Sequence, residues 1–214
     1  MSELYTIGEP PPRERADAAR NRARILSAAE RLFARDGIAQ VSLDAIAAEA
    51  GVGKGTVFRR FEHKAGLAAA LLDDHERRLQ TAILSGPPPL GPGAPARERL
   101  IAFVTGYLDF LEPNLDLVML SQTSHQFARF RVGSYGFWRQ HVSILLSQID
   151  AGWDAEYLAH AVLAPLSAEL VAELASAGMS FDRIGHGVVT LAEAIVTSAG
   201  PPATDSAPDS PAAG

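Results

Sequence analysis

The chain has 214 residues, 47% of them hydrophobic and 21% charged, enough for one large or two small domains with a sizeable packed core. It has no cysteine, which excludes disulfides, zinc–thiolate centres and cysteine nucleophiles. The formal net charge of −6 argues against a nucleic-acid partner for the chain as a whole, but residues 13–64 carry eleven Lys/Arg against seven Asp/Glu, a local +4 beside a remainder of −10. A basic segment on an acidic body predicts one local anionic partner and a remainder that avoids nonspecific contact with it.

Residues 1–24 lack the continuous apolar stretch of a secretory signal, and no apolar run reaches the roughly 20 residues of a membrane span. The expectation is a soluble cytoplasmic protein with no membrane partner. Residues 1–16, with Pro10, Pro11 and Pro12, read as a flexible arm. Residues 17–63 read as one small domain, 64–200 as a helical body and 201–214, rich in Pro, Ala, Ser and Asp, as a disordered tail.

Strand signals are nearly absent and helical periodicity runs through the chain, so the predicted fold class is all-α. The first helix spans about Arg15 to Asp36, with Ile25, Ala29, Leu32 and Phe33 on one stripe and Gly37 as a left-handed stop. Ser42 caps a short helix carrying Leu43, Ile46, Ala47 and Ala50, which Gly51 ends. A second short helix covers Lys54 to Phe61, and a longer one starts near Lys64 with Leu67, Leu71 and Leu72. Residues 86–95 (GPPPLGPGAP) are a linker, because proline lacks the amide that a helix needs. Helices are then expected over Ala96–Leu111, from Pro113 through Leu120, and through an aromatic-rich stretch to Ile149. Two more follow, Asp154–Ala177 with a kink at Pro165, and Ser180–Ala199.

Two short helices across a glycine-containing turn, braced by a longer first helix, are the helix-turn-helix plan. Val57 and Phe61 anchor the second short helix, leaving Lys54, Gly55, Thr56, Phe58, Arg59 and Arg60 outward. Small residues let the backbone approach DNA; Lys and Arg offer charge to phosphate and donors to guanine edges. The string GVGKGT at 51–56 mimics a phosphate-binding loop, but Ala48 occupies the first glycine position and a helix precedes it, so that reading fails.

The stretch VSLDAIAAEAGVGKGTVFRRFEHKAGL, residues 41–67, resembles the signature of the TetR family of bacterial regulators, and the likeness covers about residues 20–72 with the first helix. It implies an N-terminal three-helix DNA-binding domain and a C-terminal helical domain that binds an effector and dimerises. It also implies that Ser42, Thr56 and Lys64 meet phosphates, that Phe58 sits where the family's tyrosine touches phosphate, and that Lys54, Gly55 and Arg59 face base edges. Four positions depart from the family. Gly53 stands where Ser or Thr is common and offers no hydroxyl as a cap. Phe58 lacks the tyrosine hydroxyl, Arg60 replaces a frequent histidine and would add a phosphate contact, and His63 replaces the small cap before Lys64, predicting a loosely started helix. Arg13, Arg15, Arg20, Arg22 and Arg24 are further candidates for flanking phosphate or the minor groove.

By resemblance the body holds an effector pocket, for which Phe103, Tyr107, Phe110, His125, Phe127, Phe130, Trp138 and His141 are candidate lining; an aromatic stripe at helical spacing is more often plain core. The last two helices are the candidate homodimer interface, through Val162, Leu166, Leu170, Leu174, Ile184, Val188, Leu191 and Ile195, the last four stepping by four, three and four. The six histidines have no metal-motif context, so no metal and no cofactor are expected. The expected partners are thus a near-palindromic duplex DNA operator, a small-molecule effector and a second copy. The favoured function is a repressor released by its effector. A transcriptional activator, a ligand-independent DNA binder and a helical protein–protein adaptor stay open, while no nucleophile elbow or paired-carboxylate pattern favours an enzyme.

Overall fold

The computed structural model describes residues 12–122 and 133–198, and among these the fold is all-helical. Helix α1 is Pro12–Asp36, α2 Leu43–Ala50, α3 Lys54–Phe61, α4 Lys64–Ser85 and α5 Ala96–Ser121. Then come α6 at Gly133–Ile149, α7 at Ala155–Leu163, a 3-10 turn at Ala164–Leu166, α8 at Ala168–Ser176 and α9 at Phe181–Ser198.

The described residues divide into two compact units, one running through His75 and including the stretch from Asn114 to 122, the other holding Glu76–Pro113 and the residues from 133 onward. The first unit is built on the apolar stripe of α1. Ile25, Ala28, Ala29, Leu32 and Phe33 enclose Ile46, Ala47 and Ala50 of α2, Val57 and Phe61 of α3 and Leu67 and Leu71 of α4, with Leu117 packed against them. Each fully buried Ile or Leu contributes about 1.5–3 kcal/mol, so this cluster supplies most of the energy that holds the helix pair on its brace. The second unit packs α6 against α7, and Phe103, Trp138, Leu145, Leu146, Leu163 and Leu166 are among its buried side chains.

Two expectations about the body change. The helix break expected at Pro113 does not occur: α5 runs through it. A mid-helix proline costs about 3 kcal/mol. Leu108 and Leu111 before it and Val118 after it are all buried, which offsets that cost. The division between the two units falls at this proline. At Pro165 the expected kink is a full interruption, the 3-10 turn, after which Ser167 Oγ accepts from Leu170 N and caps a new helix.

That interruption bears on a second expectation. Ala155–Ser176 is long and apolar enough, at a mean hydropathy of 1.4, to cross a membrane by length and composition, although no such run was read from the sequence. The structure splits it at Ala164–Leu166 and buries Ala159, Val162, Leu163, Leu166, Ala168 and Val171, as in a packed helical core.

The predicted dimer residues also divide. Val162, Leu166, Ile184 and Val188 lie inside the second unit, at most 7% exposed, so they pack the chain's own core and no outer face. The same periodic spacing serves an internal seam as well as an external one. Leu170 and Leu191 remain exposed, at 43% and 46%, with Leu174 and Ile195 half-buried. Of the predicted pocket residues, Phe103 and Trp138 are buried, His141 nearly so, and Tyr107 and Phe110 half-buried. His125, Phe127 and Phe130 lie outside the described residues, as do the predicted arm through Pro11 and the predicted tail.

Candidate nucleic-acid interface

The α2–α3 pair is shaped by its ends. Ser42 is extended, and its Oγ accepts from Ala45 N at 3.1 Å, capping α2. Gly51 takes the left-handed conformation (φ 62°) that glycine adopts without strain, so its N–H reaches the Ala48 carbonyl at 3.1 Å and Val52 N–H the Ala47 carbonyl at 3.0 Å. This turn sets the angle at which α3 leaves. Gly53 precedes α3 without a side-chain cap.

Within α3, Val57 and Phe61 are 0% and 6% exposed and point inward. Lys54, Gly55, Phe58, Arg59 and Arg60 are exposed and Thr56 is half-buried. Phe58 is 48% exposed, so its ring stands on the basic face and does not supplement the core. Arg59 and Arg60 have no ion-pair partner among the described residues, whereas Lys54 Nζ is ion-paired with Asp44. Asp17, Ala18 and Asn21 of α1 face Thr56, Arg59 and Arg60 of α3 across a cleft of about 470 Å³. Two guanidiniums with an amide and a hydroxyl suit an anion there, set against the carboxylate of Asp17, which Arg20 pairs.

The predicted cationic fringe on α1 is largely engaged within the chain. Arg24 Nη2 donates to the Gly51 carbonyl at 3.2 Å, holding α1 to the glycine turn. Arg31 donates to Glu49 at 3.1 and 3.2 Å, a second tie to α2. Arg20 pairs with Asp17, and Arg22 lies 3.9 Å from Asp73. The ties from Arg22, Arg24 and Arg31 were not legible beforehand, because each joins residues distant in sequence, whereas Asp17 and Arg20 lie one helical turn apart. The side chains of Arg13 and Arg15 lie outside the described residues.

Lys64 differs from the remaining cations. Its Nζ donates to the Ala39 carbonyl at 3.2 Å and stands 6.0 Å from the Phe33 ring centroid. Burial lowers its pKa from the usual lysine value. It therefore ties the α1–α2 loop to the start of α4, and the other two of its three N–H donors stay available to a phosphate. His63, expected to leave α4 loosely started, does the reverse: its Nδ1 accepts from Gly66 N at 3.0 Å and caps the helix. A Cβ on Gly66 would come within 2.3 Å of the Phe61 carbonyl, so this junction requires glycine.

In the second unit, Phe103 forms ring contacts with Tyr107, Trp138 and His141 at 5.4 to 6.1 Å, and Tyr107 with Phe110 at 5.6 Å. His141 Nε2 and Arg99 Nε are buried atoms with no hydrogen-bond partner among the described residues. Burial and, second, the Arg99 charge push the His141 pKa down to about 4, which keeps the ring neutral at pH 7. A separate open groove of about 720 Å³ is lined by residues such as Leu90, Arg97, Ile101 and Asp109 and by none of the predicted pocket residues.

Comparison with known proteins matches residues 25–71 to the family described as bacterial regulatory proteins, tetR family. The chain is 45% identical over 65 residues to the HTH-type transcriptional regulator TtgR of Pseudomonas putida, covering 30% of this chain and 31% of that protein. The chain thus spans about a third of the length of the curated relatives it matches. Solved structures cover more of it. SCO4454, a TetR-family transcriptional regulator from Streptomyces coelicolor, superposes with a TM-score of 0.61 at 22% identity over 85% of this chain and 96% of its own. A transcriptional regulator from Saccharomonospora viridis in complex with choline does so at 0.59 and 24% identity over 82% and 96%. At these identities the superpositions speak for the fold.

Proposed function

We propose, from the premise that this chain belongs through its N-terminal domain to the TetR family of bacterial regulatory proteins, that it is a sequence-specific DNA-binding repressor which a small molecule releases from its operator. The carrying observation is the outer face of α3. Lys54, Gly55, Phe58, Arg59 and Arg60 are presented outward, while Val57 and Phe61 lock the opposite face into the core. Arg59, Lys54 and the Gly55 backbone read base edges in the major groove. Ser42, Thr56, Arg60 and Lys64 bind phosphates, and Phe58 adds an apolar contact at the groove wall.

The protein acts as a homodimer. Leu170, Leu174, Leu191 and Ile195 offer the apolar surface that α8 and α9 leave uncovered. Two recognition helices then address successive major grooves about 34 Å apart on a near-palindromic operator. The effector binds in the body beside Phe103, Tyr107, Trp138 and His141, where His141 Nε2 and Arg99 Nε, without a hydrogen-bond partner among the described residues, can fix its polar group. A structural relative is described with choline bound, which supports a small-molecule site in this fold. The effector shifts the dimer only by its differential affinity for the DNA-bound and free forms.

Selection of binding sites from random duplexes tests the proposal. An enriched near-palindrome whose affinity falls steeply with salt is the expected result. A dimer indifferent to every duplex at low ionic strength overturns it.

A further inference from the structure

Of the three cations on α3, Lys54 is the one held by a carboxylate among the described residues: its Nζ is ion-paired with Asp44 in the first turn of α2. Both side chains are exposed, at 68% for Lys54 and 49% for Asp44, so burial does not force them together. An acid in the first turn suits the positive end of α2, which is the plain reading of Asp44. That reading accounts for the acid but not for its being spent on a cation of the recognition face. A carboxylate on a surface that receives phosphates also opposes binding.

We propose that Asp44 is a specificity-determining residue of the DNA interface, acting by withholding Lys54 from the phosphates of arbitrary DNA. The inference rests on the DNA-binding reading above. Lysine has three N–H donors. It can keep Asp44 and still donate to guanine O6 or N7 at a matching site, so the pair costs a specific complex little. In nonspecific binding the productive partner of Lys54 is a phosphate. Reaching it means breaking the pair and leaving Asp44 uncompensated beside the backbone, so the penalty falls on the wrong sequences. Exposed pairs of this kind are worth about 0.2–1 kcal/mol, which corresponds to a discrimination of up to about five-fold.

The experiment measures wild type, Asp44→Asn, Lys54→Gln and the double variant against a selected duplex and a scrambled one across a range of salt concentrations. Asp44→Asn should raise affinity for the scrambled duplex by about two- to five-fold and hold affinity for the selected one. The salt slope on the scrambled duplex should steepen by about 0.9 as Lys54 reaches a phosphate. In the Lys54→Gln background the same change should do neither. Equal gains on both duplexes, or a gain that persists without Lys54, make Asp44 a merely repulsive charge and overturn the inference. An Asp44→Asn protein that discriminates between the duplexes as well as wild type overturns the role of Asp44 alone; a wild type that ignores every duplex overturns the regulator reading as well.

Discussion

Arg59 and Arg60 stand side by side in the sequence, both exposed and both without an ion-pair partner among the described residues, yet they have different work in the proposed complex. Arg59→Ala should relax sequence preference at one or two base positions, by about 1–3 kcal/mol against the wrong base, in a competition between single-mismatch duplexes. A uniform loss over all sequences would reassign Arg59 to phosphate. Lys64→Ala should weaken all duplexes alike and flatten the salt slope by about one unit. It should also lower the melting temperature, since Lys64 Nζ anchors the Ala39 carbonyl. Burial and, second, the Arg99 charge disfavour the charged form of His141. Its folded pKa of about 4 lies below the unfolded value of 6.5, so between these the unfolded chain takes up a proton that the folded one refuses. Stability from this group is complete above about pH 6.5 and is lost as pH falls toward 4, by about 2 to 3 kcal/mol. His141→Phe should flatten that part of a denaturation-against-pH curve; an unaltered curve would show that the ring charges freely in the native state.

At the scale of elements, the junction of α3 and α4 is a tight turn. Glu62 has φ 57° and ψ −52°, and His63 N–H reaches back to the Phe61 carbonyl at 2.5 Å, a γ-turn of the rarer, strained hand. A side chain at positive φ costs about 1–2 kcal/mol relative to glycine. Glu62→Gly should therefore raise stability by about 1 kcal/mol in urea titrations, and a loss of stability would mean that the glutamate side chain contributes more than its backbone costs. The ends of α2 were legible residue by residue, because Ser42 and Gly51 are local signals that act within a turn. The fate of Pro113 was not, since it is decided by packing of Leu108, Leu111 and Val118 that no local rule contains. For the same reason the outward residues of α3 could be read from its period. The ties that hold it in place, Arg24 to Gly51, Arg31 to Glu49 and Lys54 to Asp44, could not.

For the whole molecule, the claim that matters most is that two copies present their recognition helices together, and the chain alone constrains how they can. Half of the apolar residues expected at the interface are already enclosed: Val162, Leu166, Ile184 and Val188 have no surface left for a partner. The four that remain, Leu170, Leu174, Leu191 and Ile195, sit on α8 and α9, which pack on each other within one chain, so a second copy docking there would complete a four-helix arrangement. Leu191 is the residue to test because it is the most exposed of the four. Leu191→Asp would place a charge in a two-fold contact where it meets its own copy or an apolar neighbour, a cost of several kcal/mol once desolvated. In the free chain the same side chain faces water, so folding should be spared. Sedimentation should then report a monomer with a native melting profile. Affinity for a full near-palindrome should fall toward that of a single half-site, because the second recognition helix is no longer delivered at high effective concentration. Half-site affinity should not change, since Leu191 lies far along the chain from α3. A Leu191→Asp protein that remains dimeric and binds the full site undiminished would move the two-fold contact to another face and leave the α3 reading standing.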